Sequence, residues 1–570
     1  MSTQSSKGAF SFLMKENIVA KPDYNRWLVP PASIAIHMCI GSVYAWSLFN
    51  PALTRQLGVV TSSADDWSLS SVVWIFSTAI VFLGLAAAFG GKWLERVGPR
   101  CVGVVAGICW GGGFLIGSIG IMTHQLWLIY LGYGAIGGVG LGLGYVSPVS
   151  TLIRWFPDRR GMATGMAIMG FGGGAMIGAP LIRWLLSIYA KAPDYLGVES
   201  TITLITEGGR RFAETATGKI EVVVASASQA AALPGGGQAG VYVVGTGNTG
   251  AAATFITLGV SYFIVMMIAS FQYRVPAKGW KPEGWTPNKV KSGMVTDSDV
   301  HIDQALKTPQ FWLIWVVLCF NVTAGIGVIG VAKTMINEIF GDLVLVTAGF
   351  TATYVLMISV FNMTGRFFWA STSDYIGRKT TYQVFFLLGI ALYMSIPYFA
   401  SSGGGTALIG FYIATMIIFT MYGGGFATVP AYLADIFGTL HVGGIHGRLL
   451  TAWSVAGVLG PFAITYLRNL SKDNAITDLV SKVDPAAFAE KFGAPVEQLQ
   501  SLVAAKTVTI GKLMEVVPVG TIDPTSTLYN TTMYAMAGLL VIGFLANSLV
   551  RPVNQRHHVQ NTHADTVPAE

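Results

Sequence analysis

The chain of 570 residues is 52% hydrophobic and only 11% charged, with a mean hydropathy of +0.57. Soluble domains carry about 25% charged residues, so this composition cannot coat a water-facing surface and a polytopic membrane protein is expected. The net charge of +7 is scattered between apolar segments rather than gathered on one patch, which excludes a nucleic-acid footprint.

The first 26 residues are polar, show no cleavable signal pattern and read as a cytoplasmic tail. A helix needs about 20 apolar residues to cross a bilayer. Twelve such segments follow, near 27–50, 70–91, 101–122, 126–152, 161–187, 252–272, 309–334, 345–369, 380–399, 406–430, 447–468 and 532–550. They fall into two sixes. The expected fold is an all-α membrane protein with two six-helix bundles, 27–272 and 309–550, a polar central loop at 273–308 and a second cytoplasmic tail at 551–570. The 69 glycines far exceed average usage of about 7% and suit helices that approach closely in lipid.

Basic residues set the orientation. Lys92, Arg96, Arg100, Arg154, Arg159, Arg160, Arg274, Lys278, Lys281, Arg378 and Lys379 lie on alternate connections and are sparse on the opposite ones. That asymmetry places both termini in the cytoplasm and the chain in the cell (inner) membrane. Two longer inserts, 190–251 and 470–530, fall on the outer side, each before the last helix of its six. The first has strand-like pieces, "KIEVVVAS" and "GVYVV", and the second reads as helical, "DPAAFAEKFGAPVEQLQSLVAAK". They form either a matched cap over the outer mouth or two unrelated loop expansions. Cys39, Cys101, Cys109 and Cys319 lie in apolar runs without metal spacing and are expected to be packing residues, with no disulfide, metal or cofactor.

The two sixes echo each other. "GKWLERVGPR" at 91–100 matches "ASTSDYIGRK" at 370–379, an acid followed by Gly three residues on and a base two later. "GYVSPVSTLIRWF" at 144–156 echoes "GFATVPAYLADIF" at 425–437, and "GAP" at 178–180 pairs with "LGP" at 459–461. Duplicated halves indicate a transporter built from parallel repeats, with its substrate site between them at the midplane.

The repeated Gly-acid-Gly-base loop resembles the signature of the major facilitator superfamily. "GSVYAWSLF", "RWFPDRRGMATG", "GWKPEGW", "TPQFWLIW" and "HGRLLTAWSVAGVLGP" together resemble the oxalate:formate antiporter family, whose members move small carboxylates. The resemblance covers both six-helix halves but not the inserts. It implies a twelve-helix fold that works by alternating access.

One residue poses the sharpest question. Arg366 lies inside an apolar segment, about 12 Å along the helix from Asp374, and an unpaired cation at that depth costs at least ~2.5–3.5 kcal/mol. No Asp or Glu lies in the middle of any segment to neutralise it. A visiting carboxylate fits, because the planar guanidinium fork donates two parallel hydrogen bonds. Asn362, one turn earlier, is placed to orient the fork. The bland alternative is a snorkelling or cation–π arginine against Phe367, Phe368 or Trp369. The substrate reading expects Arg366 to face a wet vestibule.

The resemblance strengthens it, since family members carry a substrate-binding arginine at the matching place. They also carry a lysine in the eleventh helix, where this chain has Trp453. With one cation, a monocarboxylate such as formate, lactate or pyruvate fits better than a dicarboxylate. Tyr44, Tyr145, Tyr422 and Trp453 lie on the helices that line the cavity in this superfamily, and their polar edges can meet a carboxylate. His37, taken as the one histidine deep in a helix, is the candidate proton carrier. Protons travelling with the neutral acid, or exchange without protons, stay open. Glu95, Arg96, Asp374 and Arg378 are expected to latch the cytoplasmic face.

The expectation is therefore a monomeric secondary transporter, proton-coupled or exchanging, of a small organic anion. An oxalate:formate antiporter is the nearer alternative and a membrane solute sensor the more distant one. No nucleotide loop, metal cluster or nucleophile constellation points to an enzyme.

Overall fold

A glycine in left-handed backbone ends the second long helix, and another ends the eighth. Gly98 has φ 92° and Gly377 φ 86°, a region that costs side-chain-bearing residues energy. Each closes one helix with its N–H and opens the next, so the two signature loops predicted from the repeat share one conformation. This computed structural model describes residues 10–559, apart from 208–209, 216–217, 226, 232, 234, 286–293, 297, 493–494, 505–507 and 509.

Among the described residues twelve long helices follow. The first half holds α1 (Val29–Gly41, continued as a 3-10 stretch, Ser42–Leu48), α2 (Leu69–Val97) and α3 (Pro99–Met122). It continues with α4 (Gly138–Trp155, preceded by Leu126–Ile129 and the π-helical Tyr130–Gly137), α5 (Arg160–Tyr189) and α6 (Ala251–Gln272). The second half holds α7 (Pro309–Phe340), α8 (Ala348–Ile376), α9 (Arg378–Ser402), α10 (Gly404–Phe437), α11 (Thr451–Val480, preceded by the short helix Val442–Leu449) and α12 (Asn530–Leu549). Among the described residues eleven stretches are long and apolar enough to cross a membrane. The remaining helix is α8, whose apolar character is diluted by residues such as Asn362, Thr364 and Arg366. Prolines repeat as well: Pro148 in α4 pairs with Pro430 in α10, and Pro180 in α5 with Pro461 in α11. Each removes a backbone donor inside its helix, where bending is easiest.

The halves meet along two seams, α5 against α8 and α2 against α11 with its preceding helix. Small residues make both seams close. Gly161 and Gly165 abut Ala370 and the Arg366 backbone, and Gly172 abuts Met363; on the other seam Gly84 meets Ser454 and Gly447 meets Ala87. In lipid such close approach supplies the packing that hydrophobicity cannot.

Both inserts lie at one end of the bundle, the insert face, and the glycine loops at the other, the loop face. The first insert is a five-stranded antiparallel sheet, β1 (Tyr195–Gly197), β2 (Leu204–Glu207), β3 (Arg210–Thr215), β4 (Gly218–Ala225) and β5 (Gly240–Val243), in the order β1-β5-β4-β3-β2. The predicted strands are β4 and β5. The sheet buries Val223, Ala225, Leu233 and Tyr242 against Val59 and Val60, on the connection between α1 and α2. In the second insert α11 runs on past its expected end at 468 to Val480, and the short helices Pro485–Phe492 and Ile510–Met514 bury Phe488, Ile510 and Leu513. Each insert thus roofs its own half.

The N-terminal tail and the ends of the central loop pack on the loop face. Val19 bridges Val275, the Arg100 guanidinium donates to the Phe12 carbonyl at 3.0 Å, and Arg26 pairs with Asp158 at 2.6 Å. The end of the central loop hydrogen-bonds to the end of α10, Thr296 to Asp435 at 2.8 Å and Val300 to Phe437 at 2.9 Å, both through backbone atoms. The middle of that loop, 286–293 and 297, and the tail residues 1–9 and 560–570 lie outside the described residues.

Candidate functional site

Glycine decides how deep Arg366 sits. A Cβ at Gly365 would collide with the Thr420 carbonyl, and one at Gly423 with the Asn362 carbonyl, so α8 and α10 touch along their backbones. Trp369 ties the same contact by donating to the Thr420 hydroxyl at 3.0 Å. Arg366 is consequently 0% exposed. Its Nε donates to Asn362 Oδ1 at 3.0 Å, and Nη1 donates to the Ile168 carbonyl on α5 at 3.3 Å. The guanidinium carbon lies 5.7 Å from the Phe171 ring centre and 5.4 Å from that of Phe426, one ring from each half. Nη2 is buried with no hydrogen-bond partner. Among the described residues no carboxylate pairs with Arg366.

Two expectations change here. Arg366 faces no wet vestibule in this state, because Phe171 and Phe426 close over it from opposite halves. Its aromatic neighbours are also not its own sequence neighbours: Phe367 and Phe368 are 41% and 58% exposed on the outside of the bundle. The group is nonetheless neither turned to lipid nor clamped by an internal acid.

The other expected lining residues converge on it. Tyr44 stands edge-on to Phe171 at 5.1 Å and lies 6.4 Å from Trp453; Tyr145 lies 5.5 Å from Phe171 and 5.4 Å from Trp453. Trp453 packs on Phe171 at 5.4 Å and on Phe426 at 4.6 Å, and Tyr422 meets Phe426 at 5.4 Å. The Tyr44 hydroxyl neighbours both Tyr422 and Arg366. The hydroxyls of Tyr44, Tyr145 and Tyr422 and Nε1 of Trp453 are all buried without a partner, as is Arg366 Nη2. Four polar groups thus surround the guanidinium, and neither they nor its Nη2 have a hydrogen-bond partner within bonding geometry. A native interior tolerates few of these, and each costs about 1–3 kcal/mol.

His37 packs edge-on to Tyr145 at 5.2 Å and to Phe171 at 6.3 Å, with neither ring nitrogen bonded. It is not the only deep histidine. His446, on the short helix before α11, is 2% exposed and 5.9 Å from the Tyr145 ring, and its Nε2 has no partner. The eleventh apolar segment expected from sequence begins at 447, one residue past His446. Its spacing from Trp453, seven residues or two helical turns, was the available signal.

On the loop face, three of the four residues expected to form a latch, Glu95, Asp374 and Arg378, make polar contacts at helix ends. Asp374 at the end of α8 accepts from the backbone N–H groups of Gly161 and Met162 at 2.8 and 2.9 Å, in the first turn of α5. A carboxylate there satisfies orphan donors and the helix dipole together. Arg378 braces Asp374 at 2.6 Å and Asp435 at 3.0 Å, and Arg160 crosses from the other half to Asp435 at 3.0 Å. In the repeat, Glu95 at the end of α2 accepts from Gly444 N–H at 3.1 Å and contacts His441 Nδ1 at 2.9 Å. Arg96 takes no such part. It is exposed and holds no hydrogen bond or ion pair among the described residues, because the short helix before α11 has taken the Glu95 carboxylate. A strut missed from sequence adds Lys92 and Arg448 to Asp303 at 3.3 and 3.0 Å, and the Arg448 hydrogen bond holds the Asp303 carboxyl below its ordinary range.

Two six-helix halves with a buried polar cluster between them define a membrane-transport fold. The Major Facilitator Superfamily profile matches residues 33–193 and 215–461, and the chain belongs to that family. The gap in the match lies within the first insert. The chain is 25% identical to the oxalate:formate antiporter of Oxalobacter formigenes over 437 residues, 76% of this chain and 83% of that one. It is 23% identical to apicoplast pyruvate carrier 1 of Toxoplasma gondii, over 73% of this chain and 78% of that one. Among solved structures it resembles the fucose:proton symporter of E. coli with a TM-score of 0.53 at 10% identity, covering 92% of this chain and all of that one. At that identity the likeness speaks for the fold alone.

Proposed function

We propose that this chain is a secondary active transporter of a small monocarboxylate of the formate, lactate or pyruvate type, with Arg366 as the anion-binding group. One observation carries the reading. Arg366 Nη2, three tyrosine hydroxyls and the Trp453 indole N–H are buried together, partnerless, with no acid among the described residues to satisfy them. A carboxylate offers two oxygens with about four lone-pair sites and one negative charge, which can satisfy most of this set and balance the guanidinium. Asn362 holds the fork in register. Trp453 in place of a second cation favours one carboxylate over two, and an oxalate:formate exchange is the alternative. The names of the relatives, an oxalate:formate antiporter and a pyruvate carrier, agree with a small carboxylate.

The aromatic rings exclude water around the bound anion, which strengthens its attraction to the guanidinium. Rocking of the halves then exposes the site to either side. The Asp374 and Glu95 contacts cross between halves on the loop face, so they close that face here and break when it opens. The basic connections support a cytoplasmic loop face, both termini inside and residence in the cell (inner) membrane. If a proton is coupled, His37 and His446, flanking Tyr145, are the groups placed to carry it.

The test is uptake of labelled formate, lactate, pyruvate and oxalate into proteoliposomes, with and without an imposed pH gradient. Arg366→Ala is expected to abolish uptake while the protein still inserts. Retained uptake would remove Arg366 from the site and the reading with it.

A further inference from the structure

The insert face carries a second cationic cavity that the central site does not use. It has a volume of about 310 Å³ and lies between the end of the α1 extension, the last turns of α5 and the sheet insert. That size is at the low end for small-molecule sites, roughly 300–1,000 Å³. Arg55 and Arg183 both line it, with Leu48, Leu186, Gln229 and Leu233 among the other walls. Arg55 spends Nε on the Pro51 carbonyl at 3.1 Å and Nη1 on the Val60 carbonyl at 3.1 Å, which fixes its fork without neutralising it. Arg183 has no hydrogen bond or ion pair among the described residues.

The contrast with other insert-face arginines is informative. Arg210 holds Asp65 and Glu221, Arg211 holds Glu199, and Arg468 holds Glu338. Asp66, on the loop next to Arg55, is used up by the backbone N–H groups of Leu57, Gly58 and Ser63. Both guanidiniums line this cavity and, among the described residues, no acid does, so an anion that enters it meets two positive charges. Along α5, Arg183 lies twelve residues from Phe171, about 18 Å towards the insert face.

We propose that this cavity is a second binding site for a small carboxylate, held by Arg55 and Arg183, which collects the substrate on the insert face before it reaches Arg366. The sheet insert is then the outer wall of an antechamber. The proposal rests on the carboxylate reading of the central site.

Equilibrium binding of labelled pyruvate, and separately oxalate, to the full chain in phosphatidylcholine nanodiscs tests it. The intact chain is expected to bind two anions and Arg366→Ala one. Adding Arg55→Gln and Arg183→Gln to Arg366→Ala is expected to weaken the remaining binding at least ten-fold, with Arg55→Lys and Arg183→Lys restoring part of it. Thermal unfolding of each variant reports that it is folded. Two results overturn the site: no binding to Arg366→Ala, or remaining binding that the glutamine pair does not change. A lipid phosphate filling the cavity, seen as bound lipid in native mass spectrometry that the glutamine pair removes while pyruvate binding stays constant, also overturns it. Failure of the central site reads differently, as uptake that survives Arg366→Ala.

Discussion

At Arg366 a charge is held by dispersion and dipoles rather than by an opposite charge. Two phenylalanine faces, one backbone carbonyl and one amide oxygen are enough to seat it, and Nη2 is left without a partner. Trp453 tests the charge count. It is fully buried against Tyr145, Phe171 and Phe426, so Trp453→Lys brings a second cation to the same pocket at a packing cost of about 3–5 kcal/mol by analogy with truncation. The expected outcome, read by competition against labelled substrate, is at least a ten-fold shift in preference from formate towards oxalate. Unchanged selectivity would place Trp453 outside a shared pocket. His446 belongs to the same scale. If it carries a coupled proton, His446→Gln leaves exchange intact and abolishes accumulation driven by a pH gradient; accumulation equal to that of the parent protein assigns the proton elsewhere.

At the scale of elements, each half uses a helix-end acid to cap a helix of the other. Asp374 caps α5, and Glu95 reaches the short helix before α11. Losing a cap costs typically about 1 kcal/mol, enough to change the open population of the loop face several-fold. Asp374→Ala is therefore expected to speed thiol labelling of a Met162→Cys reporter from that face about five-fold, and an unchanged rate would show that the caps do not govern closure. The strut through Asp303 adds a pH term whose sign is determined. Its carboxyl is held below the ordinary range by Arg448, so its contribution is present above the unfolded value near ~3.9 and fades as pH falls through the folded one. Labelling rates, corrected for the thiolate fraction of the reporter, are expected to show no change from this strut between pH 8 and pH 5.

At the scale of the molecule, the sheet insert and the helical insert each pack on their own half. Deleting 195–248 is expected to leave membrane insertion and part of the transport, measured in proteoliposomes, while removing the second binding event; complete loss of transport in an inserted protein would make the insert part of the mechanism. Much of this architecture was legible beforehand, because lipid imposes rules that read directly from sequence. Apolar length marks helices, and a repeated acid-Gly-base loop marks duplication, which is why the twelve segments, the repeat and the lone Arg366 could be named from the letters. Which rings enclose that guanidinium could not. Phe171 and Phe426 lie on other helices, brought there by the close contacts of Gly165 and Gly172 with α8 and of Gly365 and Gly423 between α8 and α10. His446 escaped because a short helix outside the apolar segment folds back into the core, and the Arg96 latch failed because a helix N-terminus from the opposite half outcompetes a neighbouring base. The sequence by itself determined the membrane fold and the buried cation, since both follow from the cost of polar groups in hydrocarbon; the tertiary structure decided the enclosure, because ring contacts between distant segments depend on how closely helices approach.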